Sequence, residues 1–358
     1  MIYGNTFLNY GMGNGILLVE SDIQNINTLL DTNILNESVI IDKFKAAIKK
    51  IGQIITNIIN AIKKIGETIF DKIIDLCVKA RDAIKGRIEK LKKNESATLL
   101  ESENADITLT FKSFSRKFIS DFESFSGDIG KVNDGLSNEL FRMMEIYDKS
   151  VKSNNMDADE FKEWMNDSKE NFRKNHMSKS EALVDEMDKV FNDGDIFEEE
   201  SIKVKMPNAM DNLATFVDVV SKIDGHLKKL RTDKNLIIDA RRPCNRLEDN
   251  LKRIDMTLED MSRGFRSSNR IETTRGGYGY NEPYTHTEFA EKGLESYLSD
   301  IVKENISLIS KETNFFGKLI NSSKDMLKFS ANQYLKLCGK FGQKVDPKYY
   351  DDILDEVK

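Results

Sequence analysis

The sequence contains few of the residues that interrupt or cross-link a chain. Only 4 of its 358 residues are proline, and none of these lies in the first 206 residues, so long helices can form there without a proline break. The 3 cysteines, Cys77, Cys244 and Cys338, are far apart and form no Cys-x-x-Cys pair. We therefore expect neither a disulfide framework nor a zinc site, and the cysteine usage indicates a reducing compartment.

Signals for membrane insertion and secretion are missing as well. No uncharged apolar run approaches 18 residues, so no transmembrane helix is expected. The first residues, MIYGNTFLNYGMGNG, contain neither the basic region nor the apolar region of a secretory signal. Four glycines in this stretch weaken any regular structure, and we predict a flexible leader over residues 1–37.

Recognisable catalytic and cofactor motifs are also lacking. The sequence has no Walker motif and no Gly-x-Ser-x-Gly, and Gly11-x-Gly13-x-Gly15 does not have dinucleotide-binding spacing. The 3 histidines have no carboxylate or cysteine partners at metal-ligand spacing, and we expect surface or structural roles for His176, His226 and His286. The expectation is a protein that is not an enzyme, with no cofactor and no small-molecule substrate.

Charge is distributed unevenly along the chain. The net charge is −6, but residues 42–93 hold 14 Lys/Arg and 6 Asp/Glu, so this segment carries +8 and the remainder −14. A basic segment attached to an acidic body indicates a role in binding partners or in self-association.

The basic segment also carries the clearest helical pattern. Apolar residues recur at alternating spacings of three and four from Ile41 to Ile69, and the pattern shifts phase near Phe70. We predict that residues 38–93 form a basic amphipathic helix of about 75 Å, or a helical hairpin. Its candidate assembly face consists of Ile48, Ile51, Ile55, Ile58, Ile62 and Ile65. The alternatives are a bundle helix with solvated lysines, a helix lying on a membrane surface, and a helix attracted to nucleic acid or an acidic partner.

The rest of the chain is predicted to be mainly helical. Residues 94–106 are a polar linker, 107–206 a helical region with short strands near Ile107 and Ile202, and 207–358 a helical bundle. Helical aromatic spacing from Phe111 to Phe125 indicates core packing. The predicted class is all-α: a long amphipathic helix or hairpin followed by a helical bundle, with at most a minor β element.

One predicted loop combines cations with aromatic residues. Residues 266–287 are rich in Gly, Tyr, Ser and Thr, and are predicted to form a flexible loop. Five residues in it could contact single-stranded nucleic acid through phosphate and stacking interactions: Arg266, Arg270, Arg275, Tyr278 and Tyr280. A simple solvated loop is the alternative.

Three short strings share the pattern Leu-x-Glu-Ser. They end at Ser21, Ser38 and Ser102, which makes Glu20, Glu37 and Glu101 candidate cleavage positions in segments expected to be accessible. The pattern resembles the cleavage sites of tailed-bacteriophage prohead proteases, which cut after Leu/Ile-x-Glu before a small residue. The first hundred residues are similar in style to the helical virion proteins of large phages of low-GC hosts.

This resemblance implies a structural or head-packaged virion protein, located in the host cytoplasm during assembly and then in the particle. Its partners would be other virion proteins or further copies of itself, with possible DNA contact or peripheral membrane contact as alternatives. Cuts after Glu37 and Glu101 would release the basic segment as a unit, which predicts an assembly tag that is removed irreversibly.

Overall fold

The computed structural model describes residues 37–93, 107–150, 158–192, 196–204, 212–272, 285–346 and 348. Within these residues the α-helices are α1 (Glu37–Lys64), α2 (Phe70–Lys92), α3 (Arg116–Ser150), α4 (Ala158–Phe172), α5 (Ser178–Asn192), α6 (Asn212–Asp239), α7 (Arg241–Glu272) and α8 (Thr285–Lys340). Two π-helical segments, Ile65–Ile69 and Arg173–Met177, join α1 to α2 and α4 to α5. Two strands, β1 (Ile107–Phe114) and β2 (Phe197–Val204), form one small sheet. The mostly all-α prediction is confirmed.

The basic segment is one continuous helical rod, so the hairpin alternative is wrong. The first π segment explains the phase shift seen in the sequence: the Phe70 N–H donates to the carbonyl of Ile65, one residue further back than in an α-helix. This single extra residue per turn rotates the apolar stripe, which then continues through Ile73, Cys77 and Ala80, all of them buried.

The helices α6 and α7 form a second rod that runs antiparallel to α1–α2. Arg81 on α2 pairs with Asp224 in the first half of α6, whereas Glu67, before α2, pairs with Arg241 at the start of α7. The two helices meet at Ala240, where Pro243 has no N–H to donate to the carbonyl four residues before it. The two helices are therefore separated by one residue and not by a loop.

Helix α8 lies at the centre of the bundle and runs parallel to α1–α2. It packs against α1, α2, α3, α4 and β1. The sequence pattern predicts two separate runs with a break near Thr313, but α8 is continuous. No proline or glycine lies at that point. The buried Thr313 hydroxyl donates a hydrogen bond to the carbonyl of Ile309 in the preceding turn of the same helix.

The two strands pair antiparallel, although α3, α4 and α5 lie between them in the sequence. Ile107 lies opposite Val204, and Phe114 lies opposite Phe197. The side chains of Leu109, Phe111 and Ile202 are buried, as alternation predicted. The predicted aromatic stripe continues the same core, since the phenylalanines at 111, 114, 118, 122 and 125 are all buried.

The Ser178-x-x-Glu181 capping pattern predicts a helix start, and α5 does begin at Ser178, although the chain reaches it through a π segment and not through a loop. Two local predictions differ from the structure. The helical spacing of Leu213, Val217 and Val220 predicts that Val217 is buried, but Val217 is 50% exposed and Phe216 is buried in its place. The loop predicted at 266–287 is too long: α7 continues to Glu272 through residues that include no glycine or proline after Gly264, and α8 begins at Thr285. Residues 273–284 lie outside the described residues.

Candidate functional site

The candidate assembly face is part of the protein core. Its six isoleucines, at 48, 51, 55, 58, 62 and 65, are between 0% and 7% exposed. They are covered by α7 and α8 of the same chain, and α2 is covered by α6 and α8. The prediction of an assembly face formed by this stripe is therefore wrong for the folded chain, because the apolar side that would bind a partner is already covered.

This burial also changes what proteolysis around the segment would do. Fully burying one isoleucine is worth about 1.5–3 kcal/mol, so the six together contribute on the order of 10 kcal/mol. This packing opposes the release of a segment that is cut at both ends, so an assembly tag could leave only if these contacts were broken. In the described part of the chain, the same burial also separates these isoleucines from any membrane surface.

Acidic residues of the segment pair with the rod packed beside it. The Asp71 carboxylate lies 2.6 Å from the Lys234 ammonium, and the Glu67 carboxylate forms a longer ion pair of 3.7 Å with the Arg241 guanidinium. Because both carboxylates are neutralised by α6 and α7, the positive charge of the segment remains at its outer surface. Exposed lysines such as Lys49 and Lys63 lie on that surface.

Gly66 permits a close contact in the middle of the rod. A Cβ at this position would lie 2.8 Å from Cγ1 of Ile238 on α6, a distance too short for carbon atoms. By contrast, a Cβ at Gly86 would meet no atom within 4 Å. The π segment and its glycine thus bring α6 against the junction of α1 and α2.

The candidate cleavage positions lie at or beyond the ends of the rod. Glu37 is the first residue of α1, so the Glu37–Ser38 bond is the first of the helix, where helices fray. Glu20 and Glu101 lie outside the described residues; Glu101 belongs to the stretch between the end of α2 and the start of β1. The predicted leader, apart from Glu37, and the predicted linker at 94–106 are likewise outside them.

The candidate nucleic-acid loop is divided by the observed helix end. Arg266 and Arg270 belong to the last turns of α7, and their side chains are not described. Arg275, Tyr278 and Tyr280 lie outside the described residues. The sequence therefore remains the only basis for a site there.

Two histidines occupy structural positions. His226 is 3% exposed; its Nε2–H donates to the carbonyl of Lys112 at 3.0 Å, and its Nδ1 accepts from the Tyr334 hydroxyl. This tautomer follows because a carbonyl can only accept. His176 lies 3.9 Å from Glu139. The side chain of His286 is not described. Sequence reasoning gave no sign of the His226 partners, which are more than 100 residues away.

The His226 network continues to a cysteine. The thiol of Cys77 is hydrogen-bonded to Tyr334, so the chain of polar groups joins α2, α8, α6 and β1. Burial raises the pKa of Cys77 to about 12 and lowers the pKa of His226 to about 4. Both groups are therefore neutral near pH 7, and the cysteine is not activated as a nucleophile. The arrangement fixes four elements relative to one another.

Two carboxyl groups are also buried, and sequence reasoning missed them. Glu312 on α8 is fully buried, and the Asn133 amide donates to both of its oxygens at 3.0 and 2.8 Å. Asp233 accepts the N–H of Phe114 at 3.4 Å. Burial raises the pKa of each carboxyl to about 8. The available signal was the placement of these acids within apolar helical stripes.

Two surface grooves have mixed lining. One, of about 390 Å³, lies between the start of α3 and the end of α5 and includes Lys117, Asp121, Glu186 and Lys189. The other, of about 380 Å³, lies between α1 and α7. Among the described residues no group of three or more His, Cys, Asp or Glu side chains is placed to hold a metal ion. Neither groove therefore identifies a ligand.

Comparison with known proteins gives no further guidance. No family model, no curated protein and no solved structure matches this chain. In the described part of the chain, no helix has the length and apolar character needed to span a membrane.

Proposed function

We propose that this chain is a non-enzymatic bacteriophage virion protein, either structural or packaged inside the head, that a prohead protease trims during assembly. The observation that carries the proposal is the position of the three Leu-x-Glu-Ser strings. One precedes α1, one spans its first residues, and one lies between α2 and β1. A cut at any of the three positions leaves the interior of every described helix intact.

A further match to the broader Ile-x-Glu pattern supplies an internal comparison. Ile65-Gly66-Glu67-Thr68 has the required order, but it lies within the π segment, where Ile65 and Gly66 are buried against other helices. A protease binds its substrate in an extended form, so this site should resist cleavage for as long as the bundle is folded. The folded bundle thus distinguishes the Glu67 site, which lies inside packed helices, from the three Leu-x-Glu-Ser strings.

The packing also defines what processing would accomplish. Cleavage after Glu37 would remove the segment that precedes α1. Cleavage after Glu101 would cut the chain between α2 and β1, but the rod would stay packed against the other helices. Assembly would then use the lysine-bearing outer surface of the rod, because its isoleucine stripe is occupied. Such a surface is consistent with two kinds of partner: further copies of this chain and other virion proteins.

Mass spectrometry of the protein recovered from purified particles tests the proposal. We expect new N-termini at Ser21, Ser38 or Ser102 and no cut after Glu67. After a cut at Glu101, both fragments should elute together in size-exclusion chromatography, because the buried stripe holds them.

Matched variants separate specific processing from general proteolysis. Glu101→Gln should abolish the cut before Ser102, whereas Glu67→Gln should leave the fragment pattern unchanged. An intact Met1 in mature particles, or a complete lack of the protein from them, contradicts the proposal. Equal cutting after Glu67 would mean that the protease acts on unfolded chains.

A further inference from the structure

The ends of three helices meet at one end of the bundle. Phe216 in the early turns of α6 contacts Phe341, just after α8, with ring centroids 5.8 Å apart. Cys77 on α2 is hydrogen-bonded to Tyr334 on α8, and the two helices run parallel, so the last turns of α2 lie at the same end of the bundle as the residues that follow α8. We call this end the basic pole and define it by residues 79–93, 212–224 and 336–348.

The basic pole concentrates positive charge from distant parts of the sequence. Its three segments contain 12 Lys/Arg and 5 Asp/Glu, a net charge of +7, in a chain whose total is −6. The rest of the protein must therefore carry −13. The C-terminal lysines of α8 contribute to this surface, although the basic segment recognised in the sequence ends at residue 93.

Most of this charge is not neutralised within the described structure. Seven lysines at the pole are exposed and take part in no salt bridge with another described residue: Lys85, Lys90, Lys92, Lys93, Lys336, Lys344 and Lys348. The acidic residues of the pole are already engaged in part, since Asp224 and Asp82 bind Arg81 and Asp218 binds Lys222. The exposed ammonium groups are thus available to an external anion.

The chemistry of the pole favours a polyanion over a lipid surface. An interfacial membrane site needs apolar side chains that insert below the headgroups, and Val217 is the one large hydrophobic residue found exposed among the described residues of the pole. Lys85 and Lys92 lie two turns apart on α2, a separation of about 10 Å along the helix, so one face of α2 presents two ammonium groups to a single phosphate backbone.

We propose that the basic pole binds the phosphate backbone of double-stranded DNA without reading its sequence. The acidic remainder of the protein is repelled by the same DNA, so the molecule binds end-on through the pole. Binding of this kind is driven by the release of counterions and weakens steeply with salt. The proposal is independent of proteolytic processing and is tested with the uncut chain.

The test compares two variants with the same change in net charge. The pole variant carries Lys85→Gln, Lys92→Gln, Lys336→Gln and Lys344→Gln. The control variant carries Lys117→Gln, Lys174→Gln, Lys179→Gln and Lys311→Gln at exposed positions elsewhere. Fluorescence anisotropy with two 20-base-pair duplexes of unrelated sequence is measured from 50 to 200 mM KCl, and circular dichroism verifies that both variants are folded.

We expect the wild type to bind both duplexes equally, with affinity that falls linearly on a log–log plot against salt. The pole variant should lose at least about 10-fold in affinity, and its salt slope should decrease by about 3 to 4, since each phosphate contact contributes about 0.9. The control variant should bind within about 3-fold of the wild type.

Three results would overturn the proposal. One is a wild type that does not bind at 50 mM KCl. Another is an equal loss in both variants, which would attribute binding to net charge and not to the pole. The third is tighter binding to phosphatidylglycerol vesicles than to DNA that is lost in the pole variant, which would make the pole a membrane contact.

Discussion

Replacing Glu312 with glutamine should stabilise the protein near neutral pH. The Glu312 side chain is fully buried on α8, and its described polar partner is the amide of Asn133, which carries no charge. Glutamine has nearly the same shape and keeps an oxygen that can accept from that amide. It cannot ionise, so the substitution removes the carboxyl group's dependence on pH while preserving the packing.

The size of the effect follows from the pKa. Burial raises the pKa of Glu312 from 4.5 to about 8. Below pH 4.5 the carboxyl is protonated in both the folded and the unfolded chain, and it costs nothing. As the pH rises towards 8, the unfolded chain ionises while the folded chain does not, so stability is lost. At pH 7 the difference is about 2.5 pKa units, or about 3 kcal/mol.

Thermal melting at several pH values measures this effect. With an unfolding entropy of roughly 2 cal/mol/K per residue, 3 kcal/mol corresponds to a rise in Tm of about 4 °C for Glu312→Gln at pH 7. The gain should shrink towards zero at pH 4.5. Glu170→Gln, an exposed change on α4, is the matched control and should leave Tm unchanged. A stabilisation independent of pH, or a variant less stable than the wild type at pH 7, refutes the reasoning.

Further changes test the packing of the rod and the internal histidine. The double variant Ile55→Asp, Ile62→Asp should unfold the bundle, because it places two charges where the native side chains are 1% exposed; unchanged helical circular dichroism would contradict this. Gly66→Ala should lower the unfolding free energy by about 1–3 kcal/mol through overpacking, whereas Gly86→Ala should raise it by up to about 1 kcal/mol. Denaturant titration measures both effects, and equal effects would exclude the close contact between position 66 and Ile238. Because burial lowers the pKa of His226 to about 4, the unfolding free energy should fall by up to about 3 kcal/mol as the pH drops from 6.5 to 4. His226→Gln should reduce this dependence of stability on pH, and an unchanged dependence in the variant would show that His226 is not its cause.

The helical class and much of the core could be predicted because burial in a helix repeats every three to four residues. The isoleucines of α1 and the phenylalanines of α3 occupy the predicted buried positions for this reason. The phase shift near Phe70 was visible in the sequence too, although its cause, a π segment, was not. Where two phases compete, as in the string Phe216-Val217-Asp218-Val219, periodicity selected the wrong residue.

What the sequence could not show is which surface covers each stripe. The isoleucine stripe is equally suited to a partner, a lipid surface or another part of the chain, and its cover comes from α7 and α8, which begin only at Arg241 and Thr285. The bond between His226 and Tyr334 crosses 108 residues, and the one between Asn133 and Glu312 crosses 179. Such pairings depend on the arrangement of the rods, which local patterns do not encode.

The central position of α8 has a consequence for synthesis. On the ribosome, the isoleucine stripe of α1 emerges about 250 residues before the middle of α8, an interval of roughly 10 to 50 s at common translation rates. During that interval the nascent chain exposes a long apolar surface that only a later segment can cover. Neighbouring nascent chains on one polysome would expose the same stripe to each other, so the risk of aggregation is greatest before α8 has been made.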